Sequence, residues 1–382
     1  MSVATAAGVV NIVRIALACG GTGGHIFPGV ATGEILAGRG HDVSLWLAGK
    51  EEEKRLVKDW SGEVVAVQSE GFSDGISPRA MRTVWSLVHA AKRCTETMRH
   101  QRPDVLLGMG SYASVGPVVA AMRLHIPFVL HEANVLPGRA VNLFSRWAAA
   151  VAGSFEETRY YMRRKDIVLT GMPIRGRLAS AARQGKPREL DPHRLTILVM
   201  GGSRGAHTLN TLVPQSLADC RELGQPFQVV HLSGHDDEHE VRAFYEKAKV
   251  HAAVYGFTQD MATIYAQTDL AITRAGAATC AELSAFGVPA LLIPYPFAAK
   301  DHQTANARAM EKVGAADVVP ESDLGASWLK DYVSQCIQNP SRLARMSAAT
   351  RQRSQQRGAE ALADLLERVA ERQPDPAASP AV

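Results

Sequence analysis

The sequence predicts an α/β protein built from two doubly wound, Rossmann-like domains that face each other across a cleft. Two glycine-rich turns support this prediction. Residues 20–25 (GGTGGH) follow the apolar run 12–18, and residues 201–206 (GGSRGA) follow the apolar run 195–200. Each turn leads into a helical pattern, so each would expose backbone N–H groups at a helix N-terminus, where an anion can bind. The turns lie about half a chain apart, which indicates one such domain in each half.

Short apolar runs alternate with helical patterns along the whole chain. The runs are almost continuously apolar, which is typical of parallel strands buried on both faces, and their alternation with helices indicates βαβ units. The predicted strands are residues 12–18, 42–48, 64–68, 104–108, 127–131, 148–152, 195–200, 227–232, 252–255, 270–273, 289–294 and 317–319.

A break in this alternation predicts the domain boundary. We expect a first domain over residues 1–173, a linker rich in proline, glycine and charge over 174–193, and a second domain over 194–349. A helical stretch follows to residue 372, and the tail 373–382, rich in proline and alanine, is expected to fray.

The composition narrows the class of protein. The 382 residues are 46% hydrophobic and carry a net charge of +4, which is too weakly basic to indicate a nucleic-acid partner. Five scattered cysteines without a CxxC pair predict reduced thiols in a cytoplasmic protein. No stretch approaches the roughly 20 apolar residues of a membrane-spanning helix, and Arg14 interrupts the only apolar run that resembles a signal peptide.

The first glycine turn does not fit the common nucleotide fingerprints. The dinucleotide motif needs an acid at the end of the second strand, whereas Asp42 begins that strand, and the chain has no GxxxxGK[ST] loop. Anion contact is favoured over a purely structural turn. His25 would lie at the positive end of a helix, which favours a neutral imidazole that can accept a proton. A histidine that only orients the loop remains an equal alternative.

Two further segments of the first half end predicted strands. Gly110, Ser111 and Tyr112 lie in a second strand-to-helix turn, which together with the first could bracket a diphosphate or could be a turn alone. Glu132 and Asn134 follow the strand 127–131, where polar side chains point into a ligand crevice, unless they only cap a helix.

The second half carries its candidate residues on two predicted helices. Thr279 and Glu282 are one helical turn apart, and a carboxylate there suits a ribose diol, with a solvent-facing acid as the alternative. In the segment after 289–294, Asp301 is a plausible N-cap and Gln303 a candidate hydroxyl contact.

A metal site is not expected. His235 and His239 have i,i+4 spacing, but the acids between them complement a helix N-terminus and need no metal.

Two basic segments are candidate surfaces. Residues 78–100 read as a long helix with an apolar stripe and a basic flank. The stripe, expected in the core, comprises Met81, Val84, Trp85, Val88 and Ala91, and the flank comprises Arg79, Arg82, Lys92, Arg93 and Arg99. That flank and the preceding loop, with Phe72, Ile76 and Trp85, could touch an anionic membrane. Residues 159–165 are interpreted as a solvated face rather than an RNA site.

Seven segments, taken together, resemble one family. They are GGTGGHIFPG, GMGSYASVGP, HEANVLPGRAVN, LTGMPIRGRL, GGSRGAHTLN, TRAGAATCAEL and KDHQTANA, and they span nearly the whole chain in family order. On these motifs the chain resembles the MurG family, which transfers N-acetylglucosamine (GlcNAc) from UDP-GlcNAc to lipid-linked N-acetylmuramyl-pentapeptide in peptidoglycan synthesis.

The resemblance implies a glycosyltransferase B fold, with the donor nucleotide mainly on the second domain and the lipid acceptor on the first. It also implies that a C-terminal helix, about residues 350–372, returns to the first domain. The implied reaction is an inverting transfer of GlcNAc to the C4 hydroxyl of undecaprenyl-pyrophosphoryl-MurNAc-pentapeptide, at the cytoplasmic face of an anionic membrane. No cofactor is implied.

The resemblance also assigns residues by their motifs. Ser203 would contact the donor phosphate, Glu282 the ribose hydroxyls, the backbone near Thr258 the uracil, and Arg175 would be the donor-site arginine. The sugar contacts would be Ala277, Ala278, Thr279, Gln303 and Asn134, and the first glycine loop would contribute Thr22, Gly23 and Gly24. His25 is the favoured general base and Glu132 the second choice. The chain departs from the family's frequent residues at Ala133, Ser111 and Ala275.

Three alternatives remain open from the sequence. The same fold could glycosylate diacylglycerol or another lipid, or could epimerise UDP-GlcNAc. From a different class, the chain could be a non-catalytic sugar-nucleotide-binding or membrane-docking protein.

Overall fold

The structure, a computed structural model, describes residues 2–5, 8–67, 78–184, 190–202, 205–221, 226–354 and 357–372, with the backbone alone for 2–5, 8–10 and 78–86. The chain divides into two compact units. One comprises Met1–Arg175 with Arg357–Val382, and the other comprises Gly176–Gln356.

The first unit alternates strands and helices. Its strands are β1 (Ser2–Thr5), β2 (Gly8–Asn11), β3 (Arg14–Ala18), β4 (Asp42–Leu47), β5 (Glu63–Ala66), β6 (Val105–Gly108), β7 (Phe128–Glu132), β8 (Ala150–Gly153) and β9 (Val168–Leu169). Its helices before residue 175 are α1 (Gly23–Gly38), α2 (Glu51–Leu56), α3 (Pro78–His100), α4 (Val115–Arg123), α5 (Arg139–Phe144) and α6 (Thr158–Tyr161).

These strands form one parallel sheet and one hairpin. β1 and β2 pair antiparallel, while the sheet has the order β5-β4-β3-β6-β7-β8-β9 with every neighbouring pair parallel. The order of the strands reverses between β3 and β6. This reversal is the topological switch point, beyond whose carboxyl ends doubly wound sheets bind ligands.

The second unit repeats this plan. Its strands are β10 (Leu195–Met200), β11 (Phe227–Leu232), β12 (Ala252–Tyr255), β13 (Leu270–Thr273), β14 (Ala290–Leu292) and β15 (Ala316–Val318). Its helices are α7 (Gly176–Gln184), α8 (His207–Arg221), α9 (Glu238–Lys247), α10 (Met261–Gln267), α11 (Ala277–Phe286), α12 (His302–Lys312), α13 (Ala326–Gln338) and α14 (Pro340–Arg353). The sheet order is β12-β11-β10-β13-β14-β15, so its switch point lies between β10 and β13.

The last described helix, α15 (Gly358–Glu371), belongs to the first unit and packs on α1. Its apolar side chains Leu362 and Leu366 are fully buried in the same cluster as Ile15 and Leu17 of β3. Residues on the opposite face of the sheet pack against α3 and α4. Both faces of β3 are therefore covered, which explains its continuous apolar run.

The predicted strands are all present, with small shifts at their ends, but the structure differs from the expectation in three respects. β1, β2 and β9 were not predicted. The segment expected as a linker, 174–193, contains α7, because its alanine-rich middle forms a short helix that packs against α10 and α11. The helical stretch near the C-terminus is two helices, α14 and α15. The tail 373–382 lies outside the described residues.

A buried polar network lies beside the switch point of the second unit. The imidazole of His231, at the end of β11, is 3.0 Å from the Tyr245 hydroxyl through Nδ1 and 3.0 Å from Asn210 Oδ1 through Nε2. Asn210 in turn donates to Asp237 at 2.7 Å. Because Asn210 Oδ1 can only accept, Nε2 must donate and Nδ1 must accept from Tyr245, which is the neutral form of histidine. Burial lowers the pKa of His231 to about 3.

This network predicts a stability that depends on pH. Between about pH 6.5 and about pH 3 the unfolded chain binds a proton at His231 that the folded chain does not. The free energy of unfolding should therefore fall as the pH is lowered through this window. His131 of β7, whose pKa burial lowers to about 4, should act in the same direction. Denaturant unfolding should show a smaller loss of stability between about pH 7 and pH 5 in His231→Gln than in wild type. The exposed His239→Gln is the matched control, and an equal pH dependence in all three proteins would contradict the prediction.

Candidate active site

The two glycine turns of the first unit meet at its switch point. β3 and β6 are neighbours, so the loops that follow them lie side by side. The buried Ser111 hydroxyl, in the second loop, donates to the carbonyl of Gly20 in the first and accepts from the Ala113 amide at 3.2 Å. The hydroxyl therefore both donates and accepts a hydrogen bond within the protein. Ser111 therefore joins the two loops, while Gly110 and Tyr112 beside it are half-buried.

A buried carboxylate determines which amides of the first loop remain available. Glu53 of α2 accepts from the Gly21 amide at 2.6 Å and from the Lys50 amide at 3.1 Å. No described residue accepts a hydrogen bond from the amides of Gly23 and Gly24, which begin α1. An anion or hydroxyl at this loop would therefore contact the start of α1 rather than Gly21.

His25 lies in the first turn of α1, as predicted, and is half-buried. Burial lowers its pKa, so its imidazole is neutral near pH 7. Its Nδ1 lies 3.4 Å from the Oγ1 of Thr22, the N-cap residue. When Nδ1 donates to this hydroxyl, Nε2 carries the lone pair and can accept a proton.

Glu132, at the end of β7, is buried and holds the loop that follows it. One of its oxygens accepts from the Asn134 amide at 3.0 Å, and the other accepts from the Gly138 amide at 2.8 Å. Burial raises the pKa of this carboxyl, and the backbone bonds oppose that rise. Since both oxygens are engaged by the backbone, the geometry favours a structural role for Glu132 and places the half-buried Asn134 beside it.

Arg175 is the last residue of the first of the two chain segments that form the first unit. Its guanidinium lies over the ring of Phe27, with 5.1 Å between the guanidinium carbon and the ring centroid. Phe27 belongs to α1, so this cation–π contact fixes the arginine near the helix that carries His25.

The second glycine turn is only partly within the described residues. Ser203 and Arg204 lie outside them, so the predicted phosphate contact of Ser203 stays a prediction. Gly205 has φ +76°, and a Cβ on it would come 2.1 Å from the carbonyl oxygen of Ser233. Only glycine fits at this close approach, so the loops after β10 and β11 are held against each other.

The predicted sugar-contact residues on α11 lie at the switch point of the second unit, after β13. Ala277 is buried, whereas Ala278 and Thr279 are half-buried in the first turn. Glu282 is also half-buried, and its Oε2 accepts from the hydroxyl of Tyr265 at 2.9 Å. The expectation that Thr279 and Glu282 share one helix is therefore correct.

Gln303, on α12, is oriented by the backbone of two loops. Its Oε1 accepts from the Ala275 amide at 3.2 Å and from the Tyr295 amide at 3.0 Å. The carbonyl side of the amide is thus occupied, and the donating Nε2 is the end that a bound molecule would meet.

Asp301 lies at the start of a helix, as predicted, whereas the predicted uracil contact of the backbone near Thr258 stays a prediction. Asp301 is the N-cap of α12, but its carboxylate accepts from the Thr304 hydroxyl at 2.6 Å instead of capping the helix. Thr258 follows β12, and its hydroxyl accepts from the Asp260 amide at 3.1 Å. Among the described residues, no group of three or more His, Cys, Asp or Glu side chains could hold a metal ion.

Comparison with known proteins gives this arrangement a family. The model of the glycosyltransferase family 28 N-terminal domain matches residues 15–153, and that of the C-terminal domain matches residues 196–364. A relative from Geotalea uraniireducens is 34% identical, and the aligned region covers 93% of this chain and 98% of the relative. One from Bordetella pertussis is 37% identical, with coverage of 94% and 98%. Both are named UDP-N-acetylglucosamine--N-acetylmuramyl-(pentapeptide) pyrophosphoryl-undecaprenol N-acetylglucosamine transferase. The crystal structure of Acinetobacter baumannii MurG matches with a TM-score of 0.77 and 30% identity, over 93% of this chain and 99% of that one.

The chain belongs to the MurG family.

Membership of the MurG family confirms the predicted fold class. The two parallel-sheet units form a glycosyltransferase B fold, and the protein is a glycosyltransferase. The individual residue assignments rest on the geometry above and on the motifs, and they remain proposals.

Sequence reasoning missed three residues at these loops of the MurG-family fold: Glu53, Tyr265 and Arg274. Arg274 is buried, pairs with Glu321, and donates to the carbonyls of Ile293 and Pro294 at 3.3 Å each. A charged residue directly after an apolar strand was the available signal for Arg274. The Gly21 amide lies 32 positions from Glu53, and Glu282 lies 17 positions from Tyr265, so no local pattern marks these two contacts.

The geometry of Gln303 predicts different effects for two substitutions. Gln303→Glu keeps an oxygen that can accept from the amides of Ala275 and Tyr295, so the free energy of unfolding should change by less than about 1 kcal/mol. Gln303→Leu removes the acceptor and should cost about 1–3 kcal/mol. Denaturant unfolding of both variants tests this, and equal stability of the two would show that these bonds do not hold the loops.

Proposed function

We propose that this protein transfers GlcNAc from UDP-GlcNAc to the C4 hydroxyl of undecaprenyl-pyrophosphoryl-MurNAc-pentapeptide, forming the lipid-linked disaccharide of peptidoglycan synthesis. The observation that carries the proposal is the agreement, over 93% of the chain and 98% of the relative, with proteins that bear this transferase name. Both halves of the glycosyltransferase are present, each with polar groups at the switch point of its sheet.

The donor is proposed to bind the second unit. Glu282 would accept hydrogen bonds from the ribose hydroxyls, and the side-chain amide of Gln303 would donate a hydrogen bond to the sugar. The start of α11, with Ala277, Ala278 and Thr279, offers small residues that a sugar can approach closely. The backbone near Thr258 would read the uracil, and Ser203 would contact the phosphate.

The acceptor is proposed to bind the first unit. The amides of Gly23 and Gly24 at the start of α1 are suited to its anionic or hydroxyl groups, with Thr22 exposed beside them. Gly110 and Tyr112 lie in the adjoining loop, which Ser111 ties in place. Asn134 is placed next to this region by the loop that Glu132 holds.

His25 is proposed as the general base. An inverting transfer is a single in-line displacement: the acceptor oxygen forms the new bond at the anomeric carbon as the bond to UDP breaks, and the hydroxyl proton goes to the base. A neutral imidazole with Nδ1 held by Thr22 leaves Nε2 to take this proton. Glu132 is the weaker candidate, because both of its oxygens already accept from the backbone.

Charge on the departing UDP would be offset by helix N-termini, Ser203 and the Arg175 guanidinium. Preorganised amide dipoles and a guanidinium can stabilise such a developing charge without reorganisation. On this basis no metal ion is required for the reaction.

The central test is transfer of labelled GlcNAc from UDP-GlcNAc to a lipid-linked MurNAc-pentapeptide in buffer containing EDTA. We expect product in wild type and a fall of about 10²–10⁴ in kcat for His25→Gln, because a general base contributes that much. Affinity for UDP should stay unchanged in this variant, since His25 is on the first unit.

The same assay separates the alternatives. Transfer to diacylglycerol but not to the muramyl acceptor would assign a different lipid substrate, and isomerisation of UDP-GlcNAc without acceptor would indicate an epimerase. UDP binding without any turnover would indicate a non-catalytic protein. Activity that is lost in EDTA and restored by Mg²⁺ or Mn²⁺ would contradict the metal-independent mechanism.

We also propose that the protein docks peripherally on an anionic membrane at its cytoplasmic face, because the proposed acceptor carries a long lipid. None of the helices in the described part of the chain is long and apolar enough to cross a membrane. On α3, Ala91, Cys94 and Met98 pack in the core, while the opposite flank exposes Val88, Lys92 and Arg99. Val88, expected with the core stripe, is thus exposed. Phe72 and Ile76 lie outside the described residues, as do the side chains of Arg79, Arg82 and Trp85.

Liposome co-sedimentation tests this docking surface. Wild type should bind vesicles containing anionic lipid, and Lys92→Glu with Arg99→Glu should weaken binding, since each basic residue near such a surface contributes about 1 kcal/mol. The matched control is Lys247→Glu with Lys312→Glu, which makes the same charge change at exposed sites of the second unit. Equal weakening by both pairs would reflect net charge alone, and no weakening by the first pair would place docking elsewhere.

A further inference from the structure

A buried tyrosine contacts the one carboxylate on α11. Tyr265 of α10 is 1% exposed, and its hydroxyl donates to Glu282 Oε2 at 2.9 Å. The two residues lie on consecutive helices that flank β13, whose carboxyl end is at the switch point of the second unit. The contact therefore joins two different helices, and its donor is a buried residue whereas its acceptor is half-buried.

Packing holds the tyrosine ring independently of its hydroxyl. The ring lies against that of Phe286, with 5.4 Å between the centroids, at the far end of the helix that carries Glu282. α10 is fixed at its start by Asp260, whose carboxylate accepts from the Thr263 amide at 3.2 Å. A phenylalanine at position 265 would keep the ring and lose the hydroxyl that donates to Glu282.

We propose that Tyr265 is a positioning residue: it holds the Glu282 carboxylate in the orientation in which that carboxylate can accept hydrogen bonds from the ribose hydroxyls of a uridine nucleotide. This inference rests on the proposed function and deepens it. Glu282 is half-buried, and its side chain has several rotatable bonds that must be ordered for it to contact a ligand. A hydroxyl bound to one carboxylate oxygen restricts rotation about those bonds before the nucleotide arrives, so less ordering remains to be done on binding.

The proposal predicts an effect confined to ligands that carry ribose hydroxyls. A nucleotide that lacks both hydroxyls cannot use Glu282, and the orientation of that carboxylate should not matter to it. The discrimination ratio, defined as the affinity for UDP divided by that for 2′,3′-dideoxy-UDP, therefore reports positioning. A general loosening of the unit would weaken both ligands and leave the ratio unchanged.

The experiment measures both affinities by calorimetry in wild type, Tyr265→Phe, Glu282→Ala and the double variant. Tyr265→Phe should lower the affinity for UDP about three- to tenfold, the worth of one hydrogen bond. Its affinity for the dideoxy analogue should stay within about twofold of wild type. Glu282→Ala should bring the ratio close to one, and adding Tyr265→Phe to it should change nothing more.

Tyr245→Phe is the matched control. Tyr245 is also a buried tyrosine of the second unit, but its hydroxyl contacts His231 instead of Glu282. This variant should keep the wild-type ratio, and thermal unfolding of all variants checks that they fold.

Three outcomes decide the inference. Unchanged affinity of Tyr265→Phe for both ligands would overturn it. An equal loss of affinity for both ligands would also overturn it, because the ratio would stay at the wild-type value and the role of Tyr265 would be purely structural. A reduced ratio in Tyr245→Phe would also overturn it. If wild type bound ADP as well as UDP, or Glu282→Ala kept the full ratio, the proposed donor site itself would fail, which is a separate result.

Discussion

The strand order of the two sheets is the constraint on which the arrangement of functional groups depends. In both parallel sheets the third, second, first and fourth strands of the sheet, counted along the chain, are neighbours in that order, and these neighbouring pairs are parallel. Parallel strands end at the same edge, so the loops after the first and fourth strands must lie side by side. This is why residues about 90 positions apart, such as Gly20 and Ser111, share a hydrogen bond. The same order brings the glycine loop after β10 next to the start of α11.

Loops at such an edge need internal support, and buried side chains supply it here. Glu53, Glu132 and Gln303 each use side-chain oxygens to accept from two backbone amides. A buried backbone N–H without a partner is costly, so each of these side chains stabilises one loop conformation. The support also selects which groups face outwards. It removes the Gly21 amide from use and turns the donating end of the Gln303 amide away from the backbone.

Burial sets the charge state of the histidines near these loops. His25, His131 and His231 all have lowered pKa values, with desolvation as the largest cause. A neutral imidazole has one donor and one acceptor nitrogen, so its partners decide its chemistry. Tyr245 and Asn210 occupy both nitrogens of His231, which makes that residue structural. Among the residues that the structure describes, His25 contacts Thr22 through Nδ1, which leaves Nε2 as the group suited to proton transfer.

The sequence by itself determined the fold class and the location of the loops. Apolar runs bounded by glycines are local signals, since a strand buried on both faces has no polar positions, and a tight turn needs glycine. They predicted every strand of the two sheets except the two-residue β9, and they predicted α3 with its observed bounds. Motif resemblance then identified the family. α7 was missed because proline, glycine and charge nearby outweighed its short alanine-rich helix.

Only the tertiary structure decided how the side chains are used. Ser111 and Glu132 read as ligand contacts in the sequence, yet their hydrogen-bonding atoms bind the backbone of neighbouring loops. Tyr265 carried no sequence signal, because its partner Glu282 is on a different helix. Hydrogen-bond partners distant in sequence depend on how helices and strands pack. The residue type and its local sequence pattern therefore indicate which hydrogen bonds a side chain is able to make, and tertiary packing decides which of them it makes.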